Sequence, residues 1–352
     1  MTGPLNVSEF EAIARERLDL PVYDYYAGGS DDEVTLRENI EAFQRMRLKY
    51  RVLVDVSERD LRTTLLGTPL TMPIILAPTA LHRMAHPEGE SATARAAASM
   101  GTIMTLSTIS SVALEEVAQA APDGPRWFQL YHFHDRARTE QLVARAVAAN
   151  YGAIVLTVDA PVLGRREKDL RHPFMPPEDV VAVHLLGDPR TVTTSDNPIA
   201  VALNQPSVNW TDLTWLRSLS DLPLLIKGVV RADDAKRAID EGCAGVWVSN
   251  HGGRQLDTSI ATADAVADVV DAVDRRGAVI VDGGIRRGTD ALKALALGAD
   301  AVAIGRPQLW GLAADGENGV RVVLEMLRDE LSTAMALAGC PTLGDIDRDL
   351  LA

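Results

Sequence analysis

A stretch of six residues in the second half of the chain combines side chains that can move a proton and bind an acid. The stretch SNHGGR, from Ser249 to Arg254, follows an apolar run and contains a histidine, two glycines and an arginine. Histidine titrates near neutral pH and is the usual general base. Arginine binds carboxylates through parallel hydrogen bonds. The stretch therefore predicts proton abstraction from a substrate that carries a carboxylate.

Lys227 stands at the end of another apolar run, LPLLIKG. From its position alone, two kinds of chemistry are open to this lysine. It could form a Schiff base, as in barrel isomerases and lyases, or it could place a positive charge against the electron-rich end of a flavin.

Two glycine-bearing turns near residues 283 and 305 lie beside arginines. They are Gly283-Gly284 with Arg286, and Gly305 with Arg306. Glycine allows backbone N–H groups to approach an anion, and arginine binds it through two hydrogen bonds. The pattern predicts a phosphate site, which a phosphorylated cofactor or a phosphorylated substrate could fill.

These residues follow apolar runs that alternate with helical patterns, which is typical of a parallel sheet covered on both faces. Eight such β/α units predict an α/β fold of the (β/α)8 TIM-barrel type, in which the loops at the carboxyl ends of the strands form the active site. The predicted strands span 73–78, 102–107, 127–131, 153–159, 222–228, 245–250, 278–284 and 300–306. The residues that end the other strands are Pro78, Thr79, Ala80, Ser107, Gln129, Tyr131, Thr157, Asp159 and Asp282.

We expect one domain over residues 1–352. An N-terminal helical segment covers 1–70, the barrel covers 71–312, and C-terminal helices cover 313–352. A proline-rich connection at 160–221 interrupts the barrel after its fourth strand. A connection of that length is usually a binding loop or a lid.

Composition argues against several functions. The net charge of −14 is unsuited to nucleic acid or anionic membranes, which select clustered Lys and Arg. No apolar run approaches a membrane span and no signal peptide is evident. The two cysteines suggest neither a disulfide framework nor a zinc site, so we expect a cytoplasmic protein. His132 and His134 lack a third metal ligand nearby, and we predict no metal site.

Six motifs, taken together, carry a resemblance to a known family. They are VYDYYAGG, APTALHRMAHPEGE, WFQLY, LTVDAPVLGRRE, SNHGGRQLD and VDGGIRRGTDALKALALGADAVAIGRP. In this order they resemble the FMN-dependent α-hydroxy-acid oxidases and dehydrogenases, which include glycolate, lactate and mandelate oxidases. The resemblance implies FMN as cofactor, and a small 2-hydroxy acid as substrate, in a homo-oligomer, commonly a tetramer.

The resemblance also implies a role for each matched residue. His251 is the implied base, oriented by Asp159, and Lys227 stabilises negative charge on the flavin. The implied substrate ligands are Tyr25, Tyr131, Arg166 and Arg254. The implied FMN ligands are Pro78, Thr79, Ala80, Ser107, Gln129, Thr157, Lys227, Ser249, Asp282, Gly283, Gly284, Arg286, Gly305 and Arg306.

The implied reaction converts an (S)-2-hydroxy acid to its 2-oxo acid and reduces O2 to H2O2. Glycolate oxidases carry a Trp where this chain has Ile109, so we expect a bulkier, aryl substrate such as mandelate or 4-hydroxymandelate. Glycolate, lactate or another aliphatic acid is the alternative, as is a dehydrogenase with a different electron acceptor. Whether His251 takes the hydroxyl proton or the α-proton also stays open.

Overall fold

Eight parallel strands close into a barrel, which confirms the predicted α/β fold. The computed structural model describes residues 3–133, 135–172, 176–177, 180–185 and 206–352. After a short antiparallel pair, β1 (Thr63–Leu65) and β2 (Thr68–Leu70), the barrel runs in the order β10-β3-β4-β5-β6-β7-β8-β9. The barrel strands are β3 (Ile74–Leu76), β4 (Met104–Leu106), β5 (Arg126–Leu130), β6 (Ile154–Thr157), β7 (Leu224–Val229), β8 (Gly245–Val248), β9 (Ala278–Val281) and β10 (Ala301–Ile304).

Each observed strand overlaps its predicted range, because the apolar runs are buried on both faces. One set of side chains fills the barrel interior, and it includes Ile75, Trp127 and Trp247. The alternate residues, such as Leu76 and Phe128, face the helices outside. The predicted ranges extend further at most carboxyl ends because they include the polar residues or glycines that follow the apolar run, such as Ser107 and Asp282, where the backbone has already left the ladder.

Helices surround the barrel and extend it at both termini. They are α1 (Val7–Arg17), α2 (Leu20–Ala27), α3 (Val34–Arg45), α4 (Gly89–Ser99), α5 (Leu114–Ala120), α6 (Arg136–Ala148), α7 (Glu167–Arg171), α8 (Thr211–Arg217), α9 (Ala232–Asp240), α10 (Thr262–Val273), α11 (Gly288–Ala296) and α12 (Arg306–Ala338). Short 3-10 turns lie at His82–Met84, Val183–Leu185, Leu343–Asp345 and Arg348–Leu350. Helix α12 is interrupted at Asp315 and Gly316, whose backbone dihedral angles are not helical.

Local signals in the sequence fix several helix ends. Asn6 accepts a hydrogen bond from the backbone N–H of Glu9 (3.0 Å) at the start of α1, and Asp135 caps α6 through Ala137 N–H (3.1 Å). Such caps satisfy backbone donors that the first turn leaves unpaired. The first turn of α3 uses a residue distant in sequence, because Asp257 accepts from the N–H groups of Val34 (3.2 Å) and Thr35 (2.8 Å).

The N-terminal helices α2 and α3 lie over the carboxyl ends of the barrel strands. Asn39 of α3 and Asn250, which follows β8, exchange side-chain hydrogen bonds of 2.9 and 2.8 Å. Gly284, with φ +90°, lies so close to α3 that a Cβ there would be 1.9 Å from the Asn39 carbonyl oxygen. The extension is therefore part of the barrel mouth.

The long connection after β6 is only partly described. Of the predicted loop at 160–221, the structure describes residues 160–172, 176–177, 180–185 and 206–221. His134, one of the two histidines considered above as metal ligands, also lies outside the described residues. Among the helices that the structure describes, none combines the length and the apolar character that crossing a membrane requires.

We expect the barrel interior to dominate stability. Trp127 on β5 is 1% exposed, so Trp127→Ala removes a large side chain that the closed barrel cannot refill. The free energy of unfolding should fall by about 3–5 kcal/mol, measured by urea denaturation followed by circular dichroism. Leu337→Ala, at a side chain that is 73% exposed, is the control and should change it by less than about 0.5 kcal/mol. Equal effects would contradict an interior that is closely packed.

Candidate active site

One cavity opens at the carboxyl ends of the strands and gathers most of the predicted site residues. Asp159 and Ser249 are the two predicted residues that do not line it, and each contacts a side chain that does. The predicted residues on its wall are Tyr25, Pro78, Thr79, Ala80, Ser107, Ile109, Gln129, Tyr131, Thr157, Arg166, Lys227, His251, Arg254, Asp282, Gly283, Gly284, Arg286, Gly305 and Arg306.

His251 and Asp159 form a hydrogen-bonded pair at the cavity wall. The Nδ1 atom of His251 lies 2.8 Å from Oδ1 of Asp159, and the two residues come from the loops after β8 and β6. His251 has φ +58°, a left-handed backbone conformation, and its N–H donates to Ser249 Oγ (3.1 Å). With Nδ1 held as the donor to the carboxylate, Nε2 is the ring nitrogen that can accept a proton.

The pair titrates so that a neutral histidine faces an ionised acid. Burial lowers the pKa of His251 and outweighs the Asp159 carboxylate, which raises it; Lys227 and Arg166 lower it further. Burial raises the pKa of Asp159, but the hydrogen bond from His251 and the positive charge of Lys227 outweigh burial and hold that pKa below its usual range. A neutral imidazole beside a carboxylate is the state that a general base requires.

Lys227 is buried beside its own counter-ion. Its Nζ donates to Ser249 Oγ (2.8 Å) and lies 3.2 Å from Oδ2 of Asp282. Ser249 Oγ in turn donates to Oδ1 of Asp282 (2.7 Å). The ion pair keeps a positive charge at the end of β7 while it neutralises the net charge at that point.

A polar row crosses the cavity wall between β4 and β6. Gln129 Oε1 accepts from Ser107 Oγ (3.2 Å), and Gln129 Nε2 donates to Thr157 Oγ1 (3.0 Å). On the next loop along the barrel, Thr79 Oγ1 lies 2.6 Å from His82 Nε2. These side chains offer amide and hydroxyl groups to a planar, polar ligand.

Two arginines lie together at one side of the cavity. Arg166 Nε donates to the Arg254 backbone carbonyl (3.2 Å), and the Arg254 guanidinium carbon lies 5.0 Å from the centre of the Tyr25 ring. Burial and the neighbouring charge of Arg254 lower the pKa of Arg166 to about 10. Arg166 therefore remains protonated at neutral pH, and a carboxylate placed between the two guanidinium groups would relieve their repulsion.

The carbonyl end of α2 holds the arginines of two loops. Arg254 Nη1 donates to the carbonyls of Tyr25 and Gly28, the latter at 3.0 Å. Arg306 donates to the carbonyls of Tyr26 (2.9 Å), Gly252 (3.0 Å) and Gly28 (2.9 Å). The last carbonyls of a helix lack partners within the helix and attract cations.

Tyr131 and Ile109 complete the wall near the polar row. Burial raises the pKa of the Tyr131 hydroxyl, as does the charge of Asp159, so this tyrosine is a neutral donor. Ile109 is 3% exposed and lies on the loop after β4. It presents an apolar surface to the cavity, as do Leu163 and Leu309.

The chain matches the family described as FMN-dependent dehydrogenase over residues 14–352. It belongs to that family. It is 50% identical to an L-lactate oxidase of Nostoc sp. over 100% of this chain and 99% of that protein. It is 51% identical to glycolate oxidase 3 of Arabidopsis thaliana over 97% of this chain and 94% of that protein.

A crystal structure of mandelate oxidase with (S)-2-phenylpropionate superposes on the chain with a TM-score of 0.90. The two chains are 41% identical over 99% of this chain and 98% of that one. The protein is therefore an FMN-dependent enzyme that oxidises 2-hydroxy acids, as its motifs predict.

The cavity fits the phosphate of FMN at the ends of β9 and β10. Arg286 and Arg306 line it, and neither forms an ion pair with a carboxylate of the described residues. Burial and the charges of Arg254 and Arg286 lower the pKa of Arg306 to about 9. Cations brought out of water without a counter-ion are costly, so a bound phosphate would compensate them.

The two glycine turns predicted to hold this phosphate differ. Gly283 and Gly284 have φ of +91° and +90°, where a side chain would be strained. Gly305 has φ −101°, and a Cβ there would meet only Thr79 Cγ2, at 3.6 Å. The close approach of Gly284 is to α3, so its small size serves the packing of the extension as well as the cavity.

Sequence reasoning missed three residues that shape the site. The Tyr26 hydroxyl donates to the Leu81 carbonyl (2.7 Å), and Asp169 lines the cavity 4.0 Å from Arg166. Gln255 Nε2 donates to the carbonyl of Asp159 (2.9 Å) while its Oε1 lies 3.4 Å from Arg166 Nη2. Each of the three lies within three positions of a predicted site residue in the sequence. That proximity was the signal by which they could have been found.

We expect Arg286 to bind the phosphate of FMN. Arg286→Ala removes charge-assisted hydrogen bonds worth about 1.5–3 kcal/mol, so the Kd for FMN should rise about 10- to 100-fold. Flavin fluorescence quenching measures it with the refolded apoprotein. Riboflavin, which lacks the phosphate, is the control, and its Kd should stay within about twofold; an equal loss for both flavins would contradict a phosphate contact.

Proposed function

We propose that the enzyme oxidises (S)-2-hydroxy acids with a large apolar side chain to their 2-oxo acids and reduces O2 to H2O2. Aryl acids such as mandelate and 4-hydroxymandelate fit this description. The observation that carries the proposal is one cavity that holds the His251–Asp159 pair, two arginines and the apolar Ile109. The similarity to mandelate oxidase over nearly the whole chain supports it.

Arg166 and Arg254 bind the substrate carboxylate. Both guanidinium groups line the cavity, and the hydrogen bonds of Arg166 to Gln255 and to the Arg254 carbonyl fix its plane. Two cations that already repel each other gain most from an anion placed between them. Tyr25 and Tyr131 lie on the same wall and hydrogen-bond the substrate.

His251 accepts the proton of the substrate hydroxyl at Nε2, and Asp159 stabilises the imidazolium that results. A bound FMN would supply the two-electron acceptor for the hydrogen of the α-carbon, so that the substrate would lose two electrons and two hydrogens in all. O2 takes up the two electrons with two protons as H2O2. In the alternative route His251 removes the α-proton, and the hydrogen bond between His251 and Asp159 has the same role.

Lys227 supplies positive charge where the flavin gains negative charge. Its hydrogen bond to Ser249 and its ion pair with Asp282 hold the ammonium group at one place at the end of β7. A fixed charge costs no reorganisation during the reaction. Gln129, Ser107 and Thr157, together with Pro78 to Ala80, line the cavity and would hold the flavin ring system.

A second candidate is an aliphatic acid such as lactate or glycolate. The L-lactate oxidase and the glycolate oxidase are 50% and 51% identical to this chain, above the 41% of the mandelate oxidase. Identity of this size shows the family, and the substrate then depends on the side chains that line the cavity. For the step that reoxidises the flavin, the alternative is an electron acceptor other than O2.

An anaerobic flavin-reduction screen tests the proposal. The enzyme is mixed with glycolate, L-lactate and both enantiomers of mandelate and 4-hydroxymandelate, and the loss of flavin absorbance is followed. We expect the fastest reduction by (S)-mandelate or (S)-4-hydroxymandelate, with one H2O2 per substrate in air. Faster reduction by glycolate or lactate favours the second candidate, and turnover with an artificial dye alone favours a dehydrogenase.

We expect activity to fall below neutral pH as His251 gains a proton. The base works when neutral, and burial lowers its pKa from the ordinary 6.5, so kcat/KM should stay level above that pH. The value of kcat/KM should drop tenfold per pH unit only below the lowered pKa of His251. Stopped-flow flavin reduction between pH 4.5 and 8 measures the profile. His251→Ala, the control, should bind FMN but reduce it about 10²- to 10⁴-fold more slowly; rapid bleaching would show that another group is the base.

We expect Ile109→Trp to narrow the substrate pocket. The added volume should lower kcat/KM for mandelate about 5- to 150-fold, since overpacking costs about 1–3 kcal/mol. Glycolate, which has no side chain beyond the α-carbon, should stay within about threefold. Ile109→Leu keeps the volume and serves as the matched control. A parallel loss for both acids in the Trp variant would mean that Ile109 does not face the substrate side chain.

A further inference from the structure

The loop that carries Ile109 is held from two sides. We call residues 107–113, between β4 and α5, the Ile109 loop. On one side the Leu81 N–H donates to the Ile109 carbonyl (2.9 Å). The carboxylate of Glu90 accepts from the N–H (2.8 Å) and the hydroxyl (2.6 Å) of Ser111. These contacts come from the elements that follow β3.

The other side of the Ile109 loop rests on His184, which lies within the long connection after β6. Nε2 of His184 accepts from the N–H of Leu114 (3.1 Å), the first residue of α5. Nδ1 lies 3.2 Å from the Thr108 carbonyl and 3.2 Å from Ser110 Oγ. The ring therefore bridges both ends of the segment that contains Ile109.

The partners define the protonation state of His184. Because Nε2 accepts from an amide N–H, the ring proton must be on Nδ1, where it is donated to the Thr108 carbonyl. Burial and the charge of Arg145 lower the pKa of His184 to about 4, so the ring is neutral at neutral pH. The residue before α5, Ala113, has no side chain that can cap the helix, and His184 supplies that cap.

His184 is itself fixed in place. It is 4% exposed, and its ring meets Phe128 edge-on, with the ring centres 5.7 Å apart at 89°. Its carbonyl accepts from Arg138 Nη2 (2.6 Å), and the neighbouring Val183 N–H donates to the Ser110 carbonyl (3.1 Å). The position of the ring is thus set by β5, α6 and the Ile109 loop together.

We propose that His184 is a positioning residue for substrate specificity: by bridging Thr108 and Leu114 it fixes where Ile109 stands in the cavity. The inference rests on the proposed function, in which Ile109 faces the substrate side chain. His184 touches neither substrate nor cofactor in this account. It acts only through the Ile109 loop, so it affects acids whose side chains reach that loop.

The physical basis is the cost of leaving buried backbone groups unpaired. Without the imidazole, the Leu114 N–H and the Thr108 carbonyl lose their partners in a buried environment, where each unmade hydrogen bond is expensive. The loop can recover those bonds only by moving, and Ile109 moves with it. Glycolate binds through its carboxylate and hydroxyl alone and does not sense the change.

The test compares three variants of the FMN-loaded enzyme. His184→Leu replaces the imidazole with an apolar side chain of similar size, so the hydrogen bonds to the Leu114 N–H and the Thr108 carbonyl are lost. His184→Gln restores an acceptor and a donor within reach of the same partners. Tyr151→Phe is the matched control, because the Tyr151 hydroxyl donates to the Leu114 carbonyl (2.9 Å, buried) and not to the Ile109 loop. All are compared by flavin content, thermal midpoint, and KM and kcat.

For His184→Leu we expect KM for the aryl acid to rise about tenfold, while kcat and the KM for glycolate stay within about twofold. His184→Gln should recover at least half of that loss on a logarithmic scale. Tyr151→Phe should lower the thermal midpoint as His184→Leu does, yet leave the ratio of KM values for the two acids unchanged. This split separates positioning from a general loss of stability.

Two outcomes would overturn the inference. One is an equal change of KM or kcat for both acids in His184→Leu, and the other is no change for either. If the wild type oxidises aliphatic acids only, the longest of them replaces mandelate in the comparison. If none of the 2-hydroxy acids reduces the flavin of the wild type, the proposed function is rejected. That result is obtained with the wild type alone, so it is distinct from a failure of the inference about His184.

Discussion

The carbonyl end of helix α2 is the contact on which the active site depends. Backbone carbonyls of Tyr25, Tyr26 and Gly28 accept hydrogen bonds from Arg254 and Arg306, which come from the loops after β8 and β10. A carbonyl satisfies a guanidinium donor without cancelling its charge. The arginines are therefore held firmly and remain cationic, which is what binding an anionic substrate and a phosphate requires.

The same site treats Lys227 differently. Asp282 lies 3.2 Å from its ammonium group, so the charge at the end of β7 is balanced, while no carboxylate of the described residues pairs with Arg286 or Arg306. The result is a local positive field at the mouth in a chain whose net charge is −14. Arg166 and Lys227 also help to keep the imidazole of His251 neutral, because both lower its pKa. Anion binding and base strength are thus linked through the same cations.

Chemistry and substrate size are assigned to different parts of the fold. The reacting groups Asp159 and His251 stand two and three residues beyond the ends of β6 and β8, close to the ladder that fixes the backbone. Ile109 stands on a loop whose position depends on Glu90 and on His184, a residue of the long connection. Under the proposed function, a change in that loop or its supports alters the substrate while the barrel keeps His251 and Asp159 in place.

Much of the fold and most of the site could be predicted from the sequence by itself. Apolar runs that stay apolar on both faces predict parallel strands, and eight of them with helices between predict a closed barrel whose carboxyl ends meet. The residue types at those ends then identify a base, a carboxylate receptor and a phosphate site. These features are local, so they can be read along the chain.

Only the tertiary structure decided which groups touch. The 2.8 Å contact of His251 with Asp159 joins positions 92 residues apart, and the ion pair of Lys227 with Asp282 joins separate strands. The carbonyls of α2 that hold Arg254 and Arg306 are backbone atoms, which every residue possesses, so no residue type marks them. His184 likewise has no motif of its own. Its role depends on which N–H and carbonyl it bridges, and that is fixed only when the loops come together.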